Sequence, residues 1–378
     1  MNLQNNKVIL PMKTIGIIGG GQLGRMMAIA AKYMGYHVAV LDPTPNCPAA
    51  QVSDQQITSA YDDMSGIEKL TDISDVVTYE FENVDLEAAA FIEQAGKLPQ
   101  GAYALEVTQN REKEKSIMND SGLPVPANKV VGDSDMCERV LENMPLPSVI
   151  KTVSGGYDGK GQLKINTNDD IQAACEFADR NDVCIIEQWV PFDKEISVVF
   201  TRGQSGEITF FPVSENEHKD HILYKTTVPA SISAAVQQKA LDAAGILAEK
   251  MNIAGTFAIE MFVKGDDIYL NEMAPRPHNS GHYTIEACTI SQFEQHIRAI
   301  CGLPLMPIEL LRPAVMINIL GDDVETALNE LPKMRYGFLH LYGKETVKPK
   351  RKMGHITFIA DTLDEAKQQL AAYEEAKQ

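Results

Sequence analysis

Residues 14–24 read TIGIIGGGQLG, a short apolar run that ends in closely spaced glycines. Apolar residues then recur at helical spacing, namely Leu23, Met26, Met27, Ala30 and Met34. Gly35 is a helix stop signal, and residues 37–41 form a second apolar run closed by Asp42. A strand, a glycine turn, a helix and a further strand open a parallel sheet, so the sequence predicts an α/β domain at the amino terminus.

The glycines Gly19, Gly21 and Gly24, with Asp42 after the next strand, match the dinucleotide-binding fingerprint. Such glycines let a ligand approach a helix N-terminus, where free amides and the helix dipole favour phosphate. The turn therefore suits a nicotinamide-dependent oxidoreductase, another phosphorylated ligand, or packing alone. The sequence shows no hydride-transfer site downstream and several features of ATP chemistry, which disfavours the oxidoreductase.

Length and charge limit the remaining possibilities. A chain of 378 residues is too long for one core, so two or three domains are expected. The formal charge of −18, from 34 basic and 52 acidic residues, repels nucleic acid and anionic membranes at long range, and we expect neither as a partner. So acidic a protein must bind phosphate with backbone amides, a few cations and divalent metal.

The amino terminus and the cysteines indicate a cytoplasmic protein. Residues 1–12 lack the basic start and apolar middle of a signal peptide, and no apolar stretch is long enough to span a membrane. Met12, just before the first strand, is a candidate functional start. The six cysteines have no paired spacing, which argues against a zinc site or a disulfide framework and suits a reducing compartment.

Two segments further along the chain predict a nucleotide site. Lys151 ends a strand just before the glycine-rich loop 154–162, which carries Lys160. Such a lysine and a mobile glycine flap can neutralise and cover a triphosphate, although a solvated lysine and an ordinary loop are the alternative. Residues 187–190 (EQWV) end another apolar strand, where backbone groups can pair with an adenine edge. Glu195 could accept hydrogen bonds from the ribose hydroxyls, and the alternative is that Glu195 is an ordinary solvated residue.

A predicted hairpin, with arms at residues 257–263 and 267–270, brings Glu260 and Glu272 near each other. Carboxylates that project side by side from adjacent strands suit magnesium, which completes its shell with phosphate oxygens and water. An exposed cross-strand pair of glutamates is the alternative.

The segment after the hairpin is crowded with polar, cationic and proline-stiffened residues. Residues 271–282 read NEMAPRPHNSGH. We expect Arg276 and the loop 278–282 to hold a small anion against the γ-phosphate of ATP.

Six segments, spread in order over nearly the whole chain from Thr14, carry a family resemblance. They are GGGQLGRM at 19–26, TYEFENV at 78–84, GGYDGKGQ at 155–162, EQWV at 187–190, NEMAPRPHNSGHYTIEAC at 271–288 and HLYGKETVKPKRKMGH at 340–355. The sequence resembles the ATP-grasp superfamily, and within it the family that carboxylates an aminoimidazole ribonucleotide in purine biosynthesis.

The resemblance implies a mixed α/β and α+β fold, usually in a homodimer. A Rossmann-like domain would span residues 12–110, an ATP-grasp small or lid domain 111–190, and the large domain with a carboxy-terminal subdomain 191–378. The substrates would be ATP, bicarbonate and the ribonucleotide, with Mg²⁺ as the metal and ADP and phosphate as products.

The resemblance also implies roles for individual residues. ATP would be bound by Arg111, Lys151, Gly156, Tyr157, Asp158, Gly159, Lys160, Gly161, Gln162, Glu187, Gln188, Trp189, Val190, Glu195, His218, Asn271 and Glu272. Magnesium would be held by Glu260 and Glu272. The ribonucleotide would face Gln22, Leu23, Glu80, Tyr157, Asp158, His278, Lys344, Arg351 and Lys352. The residues expected to act in catalysis are Asp158, Arg276, Asn279 and Lys352.

These residues suit a reaction in which bicarbonate is phosphorylated to carboxyphosphate, which then leaves carbon dioxide beside the amine. Asp158 could hold or deprotonate that amine, or merely form the turn before Gly159. The basic run 344–352 suits a clamp for the 5′-phosphate, with a solvated loop as the alternative. Two other functions stay open: ligation of formate to another ribonucleotide, and a nucleotide-binding regulatory module without turnover.

Overall fold

The computed structural model describes residues 8–155 and 161–376, which form three β-sheets with packed helices. The strands are β1 Thr14–Ile18, β2 His37–Leu41, β3 Gln55–Ile57, β4 Val76–Tyr79, β5 Asn128–Val131, β6 Ser148–Thr152, β7 Gln162–Ile165, β8 Cys184–Gln188, β9 Lys194–Arg202, β10 Ile208–Phe210, β11 Ser214–Lys219, β12 Ile222–Val228, β13 Gly255–Lys264, β14 Asp267–Ala274, β15 Ala314–Leu320, β16 Phe338–Leu341 and β17 Lys352–Ile359. The helices are α1 Gln22–Tyr33, α2 Met64–Ile73, α3 Leu86–Gln94, α4 Ala102–Thr108, α5 Arg111–Asp120, α6 Ser134–Leu141, α7 Ile171–Asp179, α8 Ala234–Met251, α9 Thr284–Ala287, α10 Gln292–Ile300, α11 Val324–Glu330 and α12 Leu363–Ala376. Within the described ranges, no helix is long and apolar enough to cross a membrane.

The amino-terminal sheet has four parallel strands in the order β3-β2-β1-β4. Its strands β1 and β2 and helix α1 lie where the sequence pattern predicted them, so the α/β prediction for this region is confirmed. Ile15, Ile17, Val38 and Val40 are fully buried and pack with the apolar face of α1. Because parallel strands end at the same edge, the glycine turn after β1 meets the segment that follows β4.

The second sheet is antiparallel, in the order β5-β8-β6-β7, and it positions two charged side chains. Val149 on β6 is opposite Glu187 on β8, and Lys151 lies two residues further along β6. Side chains two residues apart on a strand share a face, so Lys151 and Glu187 lie on the same face of this sheet.

The third sheet has nine strands, in the order β14-β13-β9-β11-β12-β15-β17-β16, with β10 added to β9. The β13–β14 hairpin forms one end of this sheet. The sequence pattern predicted a small carboxy-terminal region, and its strands extend this same sheet through the β12–β15 pair. Helix α8 packs against β9, β13 and β14, and α12 covers β15 and β17.

Strand β11 carries no sequence pattern that predicts it. The strand reads SENEHK and has no apolar residue, so it carries no alternating hydrophobic signal. Its inward-facing Asn216 is buried but satisfied: the amide Nδ2 donates to Ser197 Oγ at 3.0 Å, and Oδ1 accepts from Thr226 Oγ1 at 3.0 Å. Hydrogen bonds replace apolar contacts on this part of the sheet.

A buried hydrogen-bond chain joins the amino-terminal sheet to the nine-stranded sheet. The Thr256 N–H donates to His296 Nδ1 at 3.0 Å, which leaves the ring hydrogen on Nε2, 2.8 Å from Thr78 Oγ1. Thr78 in turn donates to Gln100 Oε1, and Gln100 Nε2 donates to the Pro275 carbonyl at 2.9 Å. The chain thus fixes the backbone at the start of the predicted anion-binding segment.

This buried histidine should make the protein less stable in acid. Burial lowers the pKa of His296 to about 3, whereas a histidine in an unfolded chain titrates near about 6.5. Between these values the unfolded state binds a proton that the folded state excludes, so the free energy of unfolding falls by about 1.4 kcal/mol for each pH unit of acidification. Urea unfolding at about pH 7 and about pH 5.5 should show a smaller loss for His296→Gln than for the wild type.

The exposed His37 provides the matched control for this experiment. His37→Gln should lose as much stability on acidification as the wild type. Equal losses in the wild type and in His296→Gln would contradict the prediction.

Candidate active site

A cavity of about 920 Å³ is lined by residues of the second and third sheets and by the segments that follow β1 and β4 of the amino-terminal sheet. Of the predicted site residues, its lining contains Gln22, Leu23, Glu80, Arg111, Lys151, Gln162, Glu187, Gln188, Trp189, Val190, Glu195, His218, Glu260, Asn271, Glu272, Arg276, His278, Asn279 and Lys352. The described residues Gly161, Lys344 and Arg351 are not part of that lining. The predicted flap residues Gly156, Tyr157, Asp158, Gly159 and Lys160 lie outside the described residues. The structure therefore brings together segments far apart in the sequence.

The glycine turn after β1 binds the protein's own carboxylates. The Gly21 N–H donates to Glu80 Oε1, and the Gly24 N–H donates to Glu80 Oε2 at 2.7 Å. A Cβ atom on Gly21 would lie 2.6 Å from Glu80 Oε1, so this position requires glycine. Of the alternatives for this turn, the structure favours internal packing, because Glu80 accepts the hydrogen bonds of these amides at the N-terminus of α1.

The second element of the dinucleotide fingerprint is also used internally. Asp42 Oδ2 accepts from the Gly20 N–H at 2.8 Å and from the Tyr61 hydroxyl at 2.6 Å. Its Oδ1 accepts from the Thr44 N–H at 2.8 Å. A carboxylate with these partners is not free to bind ribose hydroxyls, which excludes the dinucleotide interpretation.

Glu187 lies at the end of β8 between two ammonium groups. Lys151 Nζ is 2.8 Å from Glu187 Oε2, and Lys115 Nζ, from α5, is 3.8 Å from Oε1. Burial alone would raise the pKa of Glu187, but the two lysines hold that pKa at about 2. Lys151, predicted as a cation for the triphosphate, is therefore paired with a carboxylate in this structure.

The segment after Glu187 leaves one backbone donor unused. The N–H groups of Gln188 and Trp189 donate to the carbonyls of Ala127 and Pro147 at 2.8 and 3.0 Å. Within the described part of the chain, the Val190 N–H has no hydrogen-bond partner. Val190 therefore remains available to pair with an adenine edge, as the sequence predicted for this segment.

Polar and aromatic side chains continue this side of the cavity. Glu195 Oε2 lies 2.7 Å from His218 Nδ1. Burial would lower the pKa of His218, but Glu195 and the nearby Glu260 raise it above its usual value. Phe192 and Phe262 stack with ring centroids 4.7 Å apart, and both line the cavity. The sequence analysis did not identify this apolar wall.

Glu260 on β13 and Glu272 on β14 are directly opposite in the hairpin. A bulge just after Glu260 sets this register, because uninterrupted pairing from Lys264 opposite Asp267 would place Glu260 opposite Asn271. Burial, and then the Glu272 carboxylate, raise the pKa of Glu260 to about 8. The arrangement matches the predicted carboxylate pair.

The donor set fits a magnesium ion bound together with a nucleotide. In the described residues no group of three or more His, Cys, Asp and Glu side chains is arranged to hold a metal. Two carboxylates suffice for Mg²⁺ when phosphate oxygens and water complete its shell. Because burial and the Glu272 carboxylate both raise the pKa of Glu260, a divalent cation between the two carboxylates would stabilise their ionised forms.

Next to the carboxylate pair, Arg276 and Asn279 form a polar pocket with unused hydrogen-bonding atoms. Arg276 contacts Glu82 through Nη2 and the Pro277 carbonyl at 3.0 Å through Nη1. Arg276 Nε and both amide atoms of Asn279 are buried without a partner among the described residues. Burial lowers the pKa of His278 well below its usual value, so its ring is neutral here. Such a pocket can bind a small oxyacid.

The predicted phosphate clamp forms a loop beside the cavity. Lys344 Nζ donates to the Lys352 carbonyl at 2.6 Å, and Arg351 Nη1 donates to the Thr346 carbonyl at 2.9 Å. Burial and the positive charge of Arg351 lower the pKa of Lys344 to about 8, against the attraction of Glu80. Lys352 lines the cavity, whereas Lys344 and Arg351 are not part of its lining.

Two charged residues of α5 belong to the site although the sequence analysis did not identify them. Glu114 lines the cavity and accepts from the Met273 N–H at 2.6 Å, and burial raises its pKa to about 7. Lys115 is almost fully buried beside Glu187. With Arg111 they occupy positions i, i+3 and i+4, which share one helix face. This spacing was the sequence signal that could have placed Glu114 and Lys115 at the site. It was not followed because a helix so rich in charge usually faces solvent.

Three family models match the chain. Residues 12–109 match the ribonucleotide synthetase preATP-grasp domain, residues 116–293 the ATP-grasp domain, and residues 314–369 the phosphoribosylaminoimidazole carboxylase C-terminal domain. The N5-carboxyaminoimidazole ribonucleotide synthase of Bacillus subtilis (strain 168) is 46% identical over 362 residues, covering 96% of this chain and 95% of its own. The enzyme of the same name from Staphylococcus aureus (strain COL) is 42% identical over 361 residues, covering 95% and 96%.

Solved structures give the same relationship. The crystal structure of an N5-carboxyaminoimidazole ribonucleotide synthetase in complex with ADP is similar with a TM-score of 0.95 and 49% identity, over 98% of this chain and 100% of the other. The N5-carboxyaminoimidazole synthase from Aspergillus clavatus, in complex with ADP and 5-aminoimidazole ribonucleotide, has a TM-score of 0.89 and 32% identity, over 97% and 98%.

Proposed function

The chain belongs to the N5-carboxyaminoimidazole ribonucleotide synthase family, and from that premise we propose how its cavity works. The protein is an ATP-grasp ligase that uses ATP to carboxylate 5-aminoimidazole ribonucleotide in purine biosynthesis. Bicarbonate is the carbon source, and the products are the carboxyamino ribonucleotide, ADP and phosphate. We further propose that the protein acts in the cytoplasm as a homodimer.

One observation carries this proposal: the paired glutamates stand beside a buried polar pocket with unused donors. Glu260 and Glu272 would hold magnesium and with it the γ-phosphate of ATP. Arg276 and Asn279 would hold bicarbonate against that phosphate, which gives their unpartnered buried atoms a ligand. The family relationship favours this reaction over ligation of formate.

The nucleotide would lie between the second sheet and the β13–β14 hairpin. The Val190 N–H would donate a hydrogen bond to the adenine edge, and Glu195 would accept hydrogen bonds from the ribose hydroxyls. Arg111 and Lys151 line the cavity and would meet the phosphates. Magnesium, when bound, supplies charge neutralisation at the transferred phosphoryl group.

The chain's own residues would then support three chemical steps. A bicarbonate oxygen attacks the γ-phosphorus as the bond to ADP breaks, and Arg276 offsets the charge on the transferred group. The carbon–oxygen bond of carboxyphosphate breaks, which releases phosphate and carbon dioxide. The amine attacks carbon dioxide and loses a proton, for which Asp158 remains our proposed acceptor. The closed cavity must exclude water, because carboxyphosphate hydrolyses readily.

The reaction is tested by its stoichiometry. With ¹³C-bicarbonate, each ADP released should match one labelled carboxyl group on the ribonucleotide, with multiple turnovers per enzyme. Omission of either bicarbonate or the ribonucleotide should abolish that product. A labelled product from formate instead, or binding of ATP without turnover, would contradict the proposal.

We expect the clamp loop to act through binding of the ribonucleotide alone. Arg351→Ala should raise the KM for the ribonucleotide by about one to two decades, equivalent to about 1.5–3 kcal/mol for a charge-assisted contact. The KM for ATP should stay within about twofold, because the two ligands bind independently. Steady-state kinetics with each substrate varied in turn provides the measurement. A rise confined to the KM for ATP would assign Arg351 to the nucleotide instead.

The KM for the ribonucleotide should also depend on the charge of Lys344. Its pKa of about 8 means that the cation is present below that pH and is lost above it in the free enzyme. The KM should therefore rise as the pH increases through about 8. Lys344→Met should have a raised KM that no longer responds to pH in this range. A wild-type KM that stays constant from about pH 7 to about pH 9 would exclude this role.

A further inference from the structure

Lys115 is a buried cation beside the nucleotide side of the cavity that none of the proposed binding roles uses. Its side chain is 1% exposed, and the residue is not part of the cavity lining. Its Nζ lies 3.8 Å from Glu187 Oε1 and donates to the Asn271 carbonyl at 2.5 Å. The other oxygen of Glu187 is bound by Lys151 at 2.8 Å. One buried carboxylate is thus shared between a lysine that lines the cavity and a lysine that does not.

The shared carboxylate limits what Lys151 can do. If Lys151 were the single counter-ion of Glu187, its movement toward a phosphate would leave a buried carboxylate unpaired, which is strongly unfavourable. Glu187 is 3% exposed, so water cannot compensate that charge. A second cation that stays with Glu187 removes this penalty.

The fold keeps Lys115 in place whether or not Lys151 is engaged. Its bond to the Asn271 carbonyl anchors the ammonium group on β14, and its neighbour Glu114 accepts from the Met273 N–H on the same strand. Helix α5 is therefore tied to β14 at two points. Lys151, by contrast, extends from β6 and faces the cavity with 13% of its side chain exposed.

We propose that Lys115 is the permanent counter-ion of Glu187 and thereby releases Lys151 to bind the phosphates of ATP. This inference rests on the proposed placement of those phosphates at Lys151. Lys115 is a positioning residue, because it acts through Glu187 and Lys151 without contact with the nucleotide. Loss of the Lys115 cation should weaken the binding of ligands that carry phosphate and leave the binding of the nucleoside portion unchanged.

Trp189 provides the measurement, because it is the single tryptophan of the chain and lines the cavity. Its fluorescence should report titration of the full-length protein with magnesium-ATP and with adenosine. Lys115→Met should raise the Kd for ATP by about 10- to 100-fold, the usual effect of losing a charge-assisted contact. The Kd for adenosine should change by less than about twofold. Lys113→Met, at an exposed lysine of the same helix, is the matched control and should change neither.

A double variant tests the mechanism even if Lys115→Met folds poorly. In Glu187→Gln no carboxylate holds Lys151, so adding Lys115→Met should leave the preference for ATP over adenosine within about twofold of the single Glu187→Gln variant. A further loss of that preference in the double variant would overturn the inference. If Lys115→Met raised the Kd for ATP and the Kd for adenosine equally, Lys115 would have a purely structural role, which would also overturn the inference. A wild type without preference for ATP would instead refute the proposed phosphate site itself.

Discussion

Glu272→Gln should lower kcat by about a hundredfold or more while the protein remains folded, because a metal ligand contributes several kcal/mol of charge stabilisation in the transition state. Glu272 is opposite Glu260 in the hairpin, and its carboxylate raises the pKa of Glu260. The substitution removes an ion pair of 3.6 Å between Glu272 Oε2 and Arg111 Nη1 but also relieves the repulsion from Glu260, so stability should change little. The substitution thus separates a role in catalysis from a role in folding.

The control for this variant lies on the same strand. Asp267→Asn removes a carboxylate that is 71% exposed at the start of β14, and its kcat should match that of the wild type. ADP release should be measured over a range of magnesium concentrations, together with thermal unfolding of both variants. Normal turnover of Glu272→Gln at limiting magnesium would show that the carboxylate pair does not hold the metal.

Arg276→Gln should lower kcat by about 100- to 1,000-fold, the range found when one donor to a transition-state charge is removed. Its Nε is buried without a partner in the described part of the chain, and Nη2 contacts Glu82 from the amino-terminal region. The KM for ATP should change little, because the proposed contact forms with bicarbonate and the transferred phosphoryl group.

Arg298→Gln is the matched control, since Arg298 is half-buried on α10, lies outside the cavity lining and donates to the Pro304 carbonyl. It should retain wild-type kinetics. If Arg276→Gln raised the KM for ATP and left kcat unchanged, the residue would belong to nucleotide binding, and the oxyacid pocket would need another cation.

Local sequence patterns predicted the elements that depend on local signals. Strands β1 and β2 are short apolar runs followed by Gly19 and Asp42, and the observed strands have the predicted bounds. Strand β11 escaped prediction because its buried Asn216 is satisfied by donating to Ser197 and accepting from Thr226. Those partners are remote in sequence, so no periodicity reveals them. The division into domains at 12–110, 111–190 and 191–378 stays a prediction.

The same distinction holds for the site. The glutamates 260 and 272 could be predicted as a pair from the hairpin, but the bulge that aligns them is visible in the structure alone. For the glycine turn the sequence left a phosphorylated ligand and internal packing as alternatives, and the structure shows its amides bound to Glu80, more than fifty positions away. Lys115 shares one helix face with Arg111 and Glu114, but this spacing did not identify it because a charged helix normally faces solvent. Each miss involves a contact between distant segments.

The transfer of a bicarbonate oxygen to phosphate tests the central claim most directly. If bicarbonate attacks the γ-phosphorus and the carbon–oxygen bond then breaks, the phosphate released must carry one bicarbonate oxygen. With ¹⁸O-bicarbonate, ATP, magnesium and the ribonucleotide, mass spectrometry should find one ¹⁸O atom in each phosphate formed. Phosphate that carries oxygen from water alone would mean that ATP is hydrolysed without activating bicarbonate, and would contradict the account.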